Sequence, residues 1–367
     1  MAPVHRTANE DELAVASGQW LAANQPSRPV RIGLLLNPKA GRTKNARVRS
    51  RLAQLVPAPH VWEETHDLGS LRRALTTLLC TRAANVLGIV GGDGTVHHVV
   101  NALIGLRREL FGEHAADAPT PRLLLLNGGT LNIVGRTCAI HGPPHETLAK
   151  FLRYFDHAPV SRVPARRLPL LEVSWQYLGQ PTPPRFGFVF GSEVAYHAIE
   201  LYERFGAGYA GLLRFMSELT RGVLLGSELW QREGWKLGPY TTPLVIDGRS
   251  FADHTGAAAC TVDLTLAIGA ARAIRRQLYQ PGFSVRVIEA MAPAELVRLI
   301  PAMMADRPQR GIVDVDSAEL LRTSGPYTMD GELFHQPDAL AERLPLQVKL
   351  ADFRLHAVPG EWTADEW

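Results

Sequence analysis

Cysteine is scarce. The chain has 367 residues and three cysteines, Cys80, Cys138 and Cys260, far apart and odd in number. No Cys-x-x-Cys pair occurs, so neither a zinc ribbon nor a disulfide scaffold fits, and a reducing compartment is the expected setting. A run of 18 apolar residues is also missing, which argues against a membrane-spanning helix. The polar N-terminus has no apolar core, so no secretory signal is read there. The expected placement is cytoplasmic, with peripheral contact to a membrane left open. Charge of one sign is lacking too. Lys and Arg number 39 against 36 Asp and Glu, a net +3 that does not argue for nucleic acid. Internal repeats and low-complexity tracts are absent. What remains, 46% apolar and 20% charged, is ordinary globular composition, which excludes a disordered, collagen-like or coiled-coil chain. At roughly 150 residues per domain the length suggests about two domains.

Residues 1–29 read as a polar extension with at most one short helix. From Val30 short apolar runs alternate with helical stretches. Strands are expected at residues 31–36, 60–65, 85–90 and 122–126, and helices at 43–55, 68–84, 96–104 and from about Leu131. Short buried runs bounded by turn residues, alternating with helices, predict a parallel α/β domain over residues 30–160. The pattern then changes. Strands are expected at residues 170–177, 186–190, 261–268, 283–288, 311–315 and 327–329, with one or two helices over 196–225. This predicts a second, antiparallel β domain over residues 161–340. A C-terminal strand at 346–350 and a tail complete residues 341–367.

Four motifs carry chemistry. Gly91-Gly92-Asp93-Gly94-Thr95 follows a buried strand and opens a helix. Glycine lets the backbone approach a phosphate or take a positive φ, and the helix N-terminus favours an anion. Asp93 between the glycines suits phosphate only through a divalent cation, which suggests Mg²⁺. Neither the Walker A nor the dinucleotide spacing matches. Asn37-Pro38-Lys39-Ala40-Gly41 and Asn127-Gly128-Gly129-Thr130-Leu131-Asn132 also stand at strand ends. Each is weak alone. At neighbouring carboxyl ends of one parallel sheet they would converge on a single crevice. Far downstream, Asp330-Gly331-Glu332 offers two acids for a metal and a proton, although a plain β-turn explains it as well.

In this order the four motifs resemble the diacylglycerol kinase catalytic-domain family, whose relatives include sphingosine and ceramide kinases and, more remotely, the NAD kinases. The resemblance covers roughly residues 31–350, with Gly191-Ser192-Glu193 and the helices after it adding to it. It implies an N-terminal α/β nucleotide-binding domain and a C-terminal antiparallel β-sandwich, with the active site in the cleft between. ATP would lie on Asn37, Pro38, Lys39, Ala40, Gly41, Thr65, Gly91, Gly92, Asp93, Gly94, Thr95, Gly129, Thr130 and Asn132. Asp93 and Asp330 would serve Mg²⁺, with Asp93, Asp330 and Glu332 as the catalytic group and Glu332 as the base. The implied activity is transfer of the γ-phosphate of ATP to a lipid hydroxyl, diacylglycerol by default. A sphingoid base or ceramide is the alternative acceptor. A soluble-metabolite kinase of the NAD-kinase type and a non-catalytic binder of nucleotide or lipid are the other readings. The partner would be a lipid at a membrane surface, not nucleic acid, and a homodimer stays open.

Two departures from the family stand out. Ile133 follows Asn132 where many members have Asp. Tyr279-Gln280-Pro281-Gly282 replaces an acid-rich turn that holds a structural Mg²⁺ in several bacterial members, so that site is expected to be lost. Arg162, Arg166, Arg167, Arg272, Arg275 and Arg276 offer a basic face for anionic lipid. His97 and His98 read as structural or surface residues.

Overall fold

In the computed structural model the apolar runs of the N-terminal region become four parallel strands. They are β1 (Ile32–Leu36), β2 (Val61–Glu64), β3 (Val86–Gly91) and β4 (Arg122–Asn127), side by side in the order β4-β3-β1-β2. The structure describes residues 10–129, 132–177, 180–206, 209–265, 272–274, 276, 280–304, 309–334 and 345–362. It divides into two units, Met1–Arg167 with Asp352–Trp367, and Leu168–Ala351.

In the first unit β1 and β3 are buried at every position. That requires cover on both faces, which explains why they read as unbroken apolar runs. The helices are α1 (Glu10–Ala23), α2 (Ala46–Gln54), α3 (Leu68–Thr76), α4 (Asp93–Phe111), α5 (Ile133–Thr137) and α6 (Pro144–Phe155). Ile32, Leu34 and Leu36 pack with Leu52 of α2 and Phe151 and Phe155 of α6. Gly33 points the other way, where a side chain would meet Leu78 and Ala84. The single helix expected over 68–84 stops at Thr76 and widens into a π-helical turn, Thr77–Thr81. The wider turn buries three successive residues, Leu78, Leu79 and Cys80, which one face of an α-helix does not do. The helix expected from Val96 starts at Asp93, inside the glycine motif.

The N-terminal extension contributes α1. Trp20 is fully buried, its indole N–H donates to Pro119 O at 2.7 Å, and its ring meets Phe111 edge-on at 6.1 Å. Trp20→Ala is expected to cost about 3–5 kcal/mol in chemical denaturation. A cost below about 1 kcal/mol would show that α1 contributes little to the core.

The second unit has a six-stranded antiparallel sheet. Its order is Ile312–Ala318, Phe283–Glu289, His254–Cys260, Val189–Ser192, Tyr327–Met329 and Glu332–Phe334. Its apolar side, with Phe190, Phe283, Val285 and Met329, shares one core with Leu171, Leu244, Leu321 and Val348 from a second set of strands. This two-layer core is the expected antiparallel sandwich. The strand expected over 261–268 is displaced. The long strand is His254–Cys260, only Leu264–Thr265 of the expected run is extended, and residues 266–271 lie outside the described residues. His254–Cys260 is Gly- and Ala-rich, a poor strand signal. Its small side chains let the helix Val194–Glu203 lie close, since a Cβ on Gly256 would stand 2.7 Å from Val194. The sequence pattern does not predict the helix Pro293–Met304, because its two prolines look like loop residues.

The C-terminal strand is longer than expected, Pro345–Ala357. Its first part pairs antiparallel with Leu320–Ser324 in the second unit. His356 and Ala357 pair parallel with Arg122 and Leu123 of β4 in the first. No helix among the described residues is long and apolar enough to cross a membrane.

Candidate active site

The order β4-β3-β1-β2 means the chain leaves β1 toward one edge of the sheet and leaves β3 toward the other. Such a reversal opens a crevice at the carboxyl ends of the two strands, the usual ligand position in an open α/β sheet. Asn37 ends β1 and Thr95 follows β3. The Asn37 amide Nδ2 donates to Thr95 Oγ1 across that point at 2.9 Å.

The first turn is held by its own side chains. Asn37 Oδ1 accepts from Lys39 N at 2.9 Å, and the buried Thr43 hydroxyl donates to the carbonyls of Asn37 and Ala40. Pro38, Lys39 and Ala40 are thereby fixed in a tight loop. The Lys39 ammonium donates to His66 O at 2.9 Å beyond the end of β2. Thr65 is buried, and its hydroxyl donates back to Leu36 O at 3.4 Å. Thr43 was not among the expected residues. Its signal was a hydroxyl two residues past Gly41, where it could bond back into the turn.

The second and third turns touch through backbone. Gly128 N donates to Gly91 O at 2.8 Å, and Arg42 N from the first turn donates to Gly128 O at 2.8 Å. A Cβ on Gly128 would lie 3.0 Å from the Gly91 backbone, and one on Gly129 would lie 2.4 Å from Gly92 Cα. None of Gly91, Gly92, Gly128 and Gly129 has a positive φ. Close approach of one loop to the next, not left-handed backbone, is why glycine occupies positions 92, 128 and 129, while a Cβ on Gly91 would stand 2.4 Å from Thr95 Cβ in its own turn. Gly41 belongs to the same contact, since its Cβ would meet Gly128 O at 3.4 Å.

Asp93 is the first residue of α4, after Gly92, and no side chain caps that helix. Its Oδ1 accepts from Val134 N in α5 at 3.4 Å. Gly94 and Thr95 continue the first turn of α4. Asn132 has φ of 50°, accepts from Gly129 N at 3.1 Å and donates to Gly129 O at 2.9 Å, so its side chain closes the third turn on itself. Thr130 and Leu131 lie outside the described residues. Asn127 ends β4, and its amide donates to Ile140 O at 2.8 Å.

Asp330 and Glu332 lie on one hairpin of the second unit. Asp330 and Gly331, with φ of 53° and 90°, form its two-residue turn. Asp330 also organises backbone. Its Oδ1 accepts from Phe188 N at 2.8 Å and Val189 N at 2.9 Å, where the strand expected over 186–190 breaks into Arg185–Gly187 and Val189–Ser192. A carboxylate accepting two amides is a strong anchor. Glu332 opens the return strand opposite Met329, half-buried. Among the described residues no three His, Cys, Asp or Glu side chains gather as a metal site.

Two of the six arginines offered as a basic face, Arg166 and Arg276, are engaged with backbone carbonyls. Arg276 is buried, and its guanidinium donates to Asp316 O at 2.7 Å, Gln280 O at 2.6 Å, and the carbonyls of Pro281 and Gly282. Arg166 donates to Thr137 O at 2.6 Å. Arg162 and Arg167 are exposed, while Arg275 and the Arg272 side chain lie outside the described residues. His97 is buried in α4. The three cysteines are free and buried, and burial pushes Cys80 up to about 11 and Cys138 and Cys260 up to about 12, so none is a thiolate nucleophile at neutral pH.

Residues 31–160 match the family model of the diacylglycerol kinase catalytic domain. No curated protein matches the chain. Among solved structures, a diacylglycerol kinase from Bacillus anthracis str. Sterne is similar at 15% identity and a TM-score of 0.54, over 90% of this chain and 96% of that one. Another structure from that organism, named as a candidate for the same enzyme, reaches a TM-score of 0.58 at 15% identity, over 91% of this chain and 99% of its own. Over residues 31–160 the chain thus matches the diacylglycerol kinase catalytic domain, and about nine-tenths of its length takes the fold of crystal structures that bear that enzyme's name.

Proposed function

We propose that this protein is a lipid kinase that transfers the γ-phosphate of ATP to a lipid hydroxyl, with diacylglycerol as acceptor. The observation that carries the reading is the set of three turns at adjacent strand ends, locked by backbone contact between Gly91 and Gly128 and between Gly92 and Gly129. A surface of bare backbone beside the uncapped start of α4 suits an anion such as a triphosphate.

The donor set fits Mg²⁺ that arrives with the nucleotide. Mg²⁺ commonly takes one or two protein carboxylates and fills its remaining positions with phosphate oxygens and water. Asp93 is the carboxylate at the phosphate turns and would hold the ion there; bound, it would neutralise charge on the transferring group. Asp330 keeps the hairpin in shape so that Glu332 is presented. Glu332 takes the proton from the acceptor hydroxyl as the hydroxyl oxygen attacks the γ-phosphorus, whose bond to the bridging oxygen breaks and releases ADP. Asn37 and Thr95 fix the crevice between β1 and β3.

A lipid acceptor is supported by the second unit's surface. The helix Tyr209–Leu225 exposes Leu213, Leu224 and Leu225, with Arg214 and Arg221 exposed between them, and Trp235 is exposed nearby in sequence. Apolar side chains among arginines suit the headgroup region of an anionic membrane.

The test is transfer of labelled γ-phosphate, with Mg²⁺, to diacylglycerol, monoacylglycerol, sphingosine or ceramide in mixed micelles, and to NAD in solution. Label in diacylglycerol is expected. Label in sphingosine or ceramide would replace the acceptor and keep the class. Label in NAD alone, or ATP bound with no transfer at all, would end the lipid-kinase reading.

A further inference from the structure

A cavity of about 400 Å³ opens at the amino ends of β1 and β3. It is one strand length, roughly 17 Å, from the glycine turns at the carboxyl ends. Ala22 and Ala23 of α1, Pro59 before β2 and Cys80 of the π-helical turn give it a mostly apolar wall, and Arg28 and Arg31 line it on the segment leading into β1. Part of this wall, α1 and the segment after it, precedes the residues that match the catalytic family. The cavity is therefore completed by residues outside the matched stretch.

The cavity is built. Asn85 is buried beside it, donates to Ala23 O at 3.2 Å and Pro29 O at 2.9 Å, and accepts from Arg31 N at 2.8 Å. One amide thus ties α1, the following segment and the start of β3 together. Each arginine is anchored through Nε, Arg28 on Ala22 O at 3.3 Å and Arg31 on Pro59 O at 2.9 Å. Neither guanidinium makes an ion pair among the described residues. Two anchored cations thus border an apolar hollow that no carboxylate among the described residues lines. Binding sites of this size are apolar with a few fixed polar groups, and a forked guanidinium suits a carboxylate or phosphate. At about 30 Å³ per heavy atom there is room for roughly a dozen atoms.

We infer that this cavity is a second ligand site, for a small amphipathic anion whose alkyl chain fills the apolar wall and whose carboxylate or phosphate meets Arg28 and Arg31. The inference goes beyond the kinase reading and does not rest on it, because it is tested by binding without transfer.

The experiment is calorimetric titration of the full chain, saturated with a non-hydrolysable ATP analogue so that the phosphate turns are filled. The probes are octanoate, octyl phosphate, 1-octanol and inorganic phosphate. One or both octyl anions should bind, and the tighter one identifies the head group. Octanol and inorganic phosphate should bind at least about tenfold more weakly. The paired substitution R28Q and R31Q, at accessible side chains, should weaken the anion about tenfold or more without lowering Tm. Ala22→Phe, which fills the hollow, should abolish binding. If that variant fails to fold, the arginine pair decides alone. Unchanged affinity in the arginine pair would place the anion elsewhere and overturn the inference. So would octanol binding as tightly as the anions, or no heat with any probe up to about 1 mM.

Discussion

Glu332→Gln should lower kcat for lipid phosphorylation by about a hundredfold to ten-thousandfold, the range a general base contributes. The affinity for ATP should hardly change, because Asn37, the glycine turns and Thr95 belong to the other unit. Gln keeps the shape of Glu and cannot accept the acceptor's proton. The hairpin should also survive, since Asp330 and Gly331 make the turn and Asp330 holds the Phe188 and Val189 amides. Tm within about 1–2 °C of the parent, with kcat lost and ATP binding kept, is the expected combination. Full activity would move the base to another residue.

The second large effect belongs to the glycine turns. A methyl group on Gly129 would lie 2.4 Å from Gly92 Cα, and backbone stands on both sides of the clash. No flexible side chain can give way, so the two turns must separate. Gly129→Ala should cost about 1–3 kcal/mol of stability and weaken ATP binding by about tenfold or more. Gly92→Ala should do less, because its methyl would meet Gly129 Cα at 3.1 Å. A thermal melt and a nucleotide titration of the two variants measure the order directly. Equal, negligible effects would show that the turns do not need their mutual contact.

Much of the first unit was legible in the sequence because parallel strands buried on both faces leave an unbroken apolar run. β1, β3 and β4 are such runs, and glycine or proline stands just past the carboxyl end of each. The three turns were legible as candidates, and their meeting followed from the rule for open sheets. The reason for the glycines did not, because backbone approach between loops is a tertiary fact. The strand His254–Cys260 stayed hidden since its small residues answer to a helix lying on it. The docking of α1 was hidden as well. It depends on Trp20 finding Pro119 and Phe111, about a hundred residues away in sequence. Asp330 illustrates a double reading, in which Asp-Gly signals both a tight turn and an acid for chemistry. The structure shows the turn and adds the anchoring of two amides.

Arg276 has a consequence for how this protein meets its ionic surroundings. At the turn before the strand Phe283–Glu289 a guanidinium reaches the carbonyls of Gln280, Pro281 and Gly282. The positive charge is encoded in the gene and covalently attached, so the turn holds its cation at any ionic composition of the medium. It cannot be chelated, exchanged for calcium or diluted away. The packing of this turn is thereby expected not to follow the divalent-ion concentration, which thermal melts with and without a chelator check.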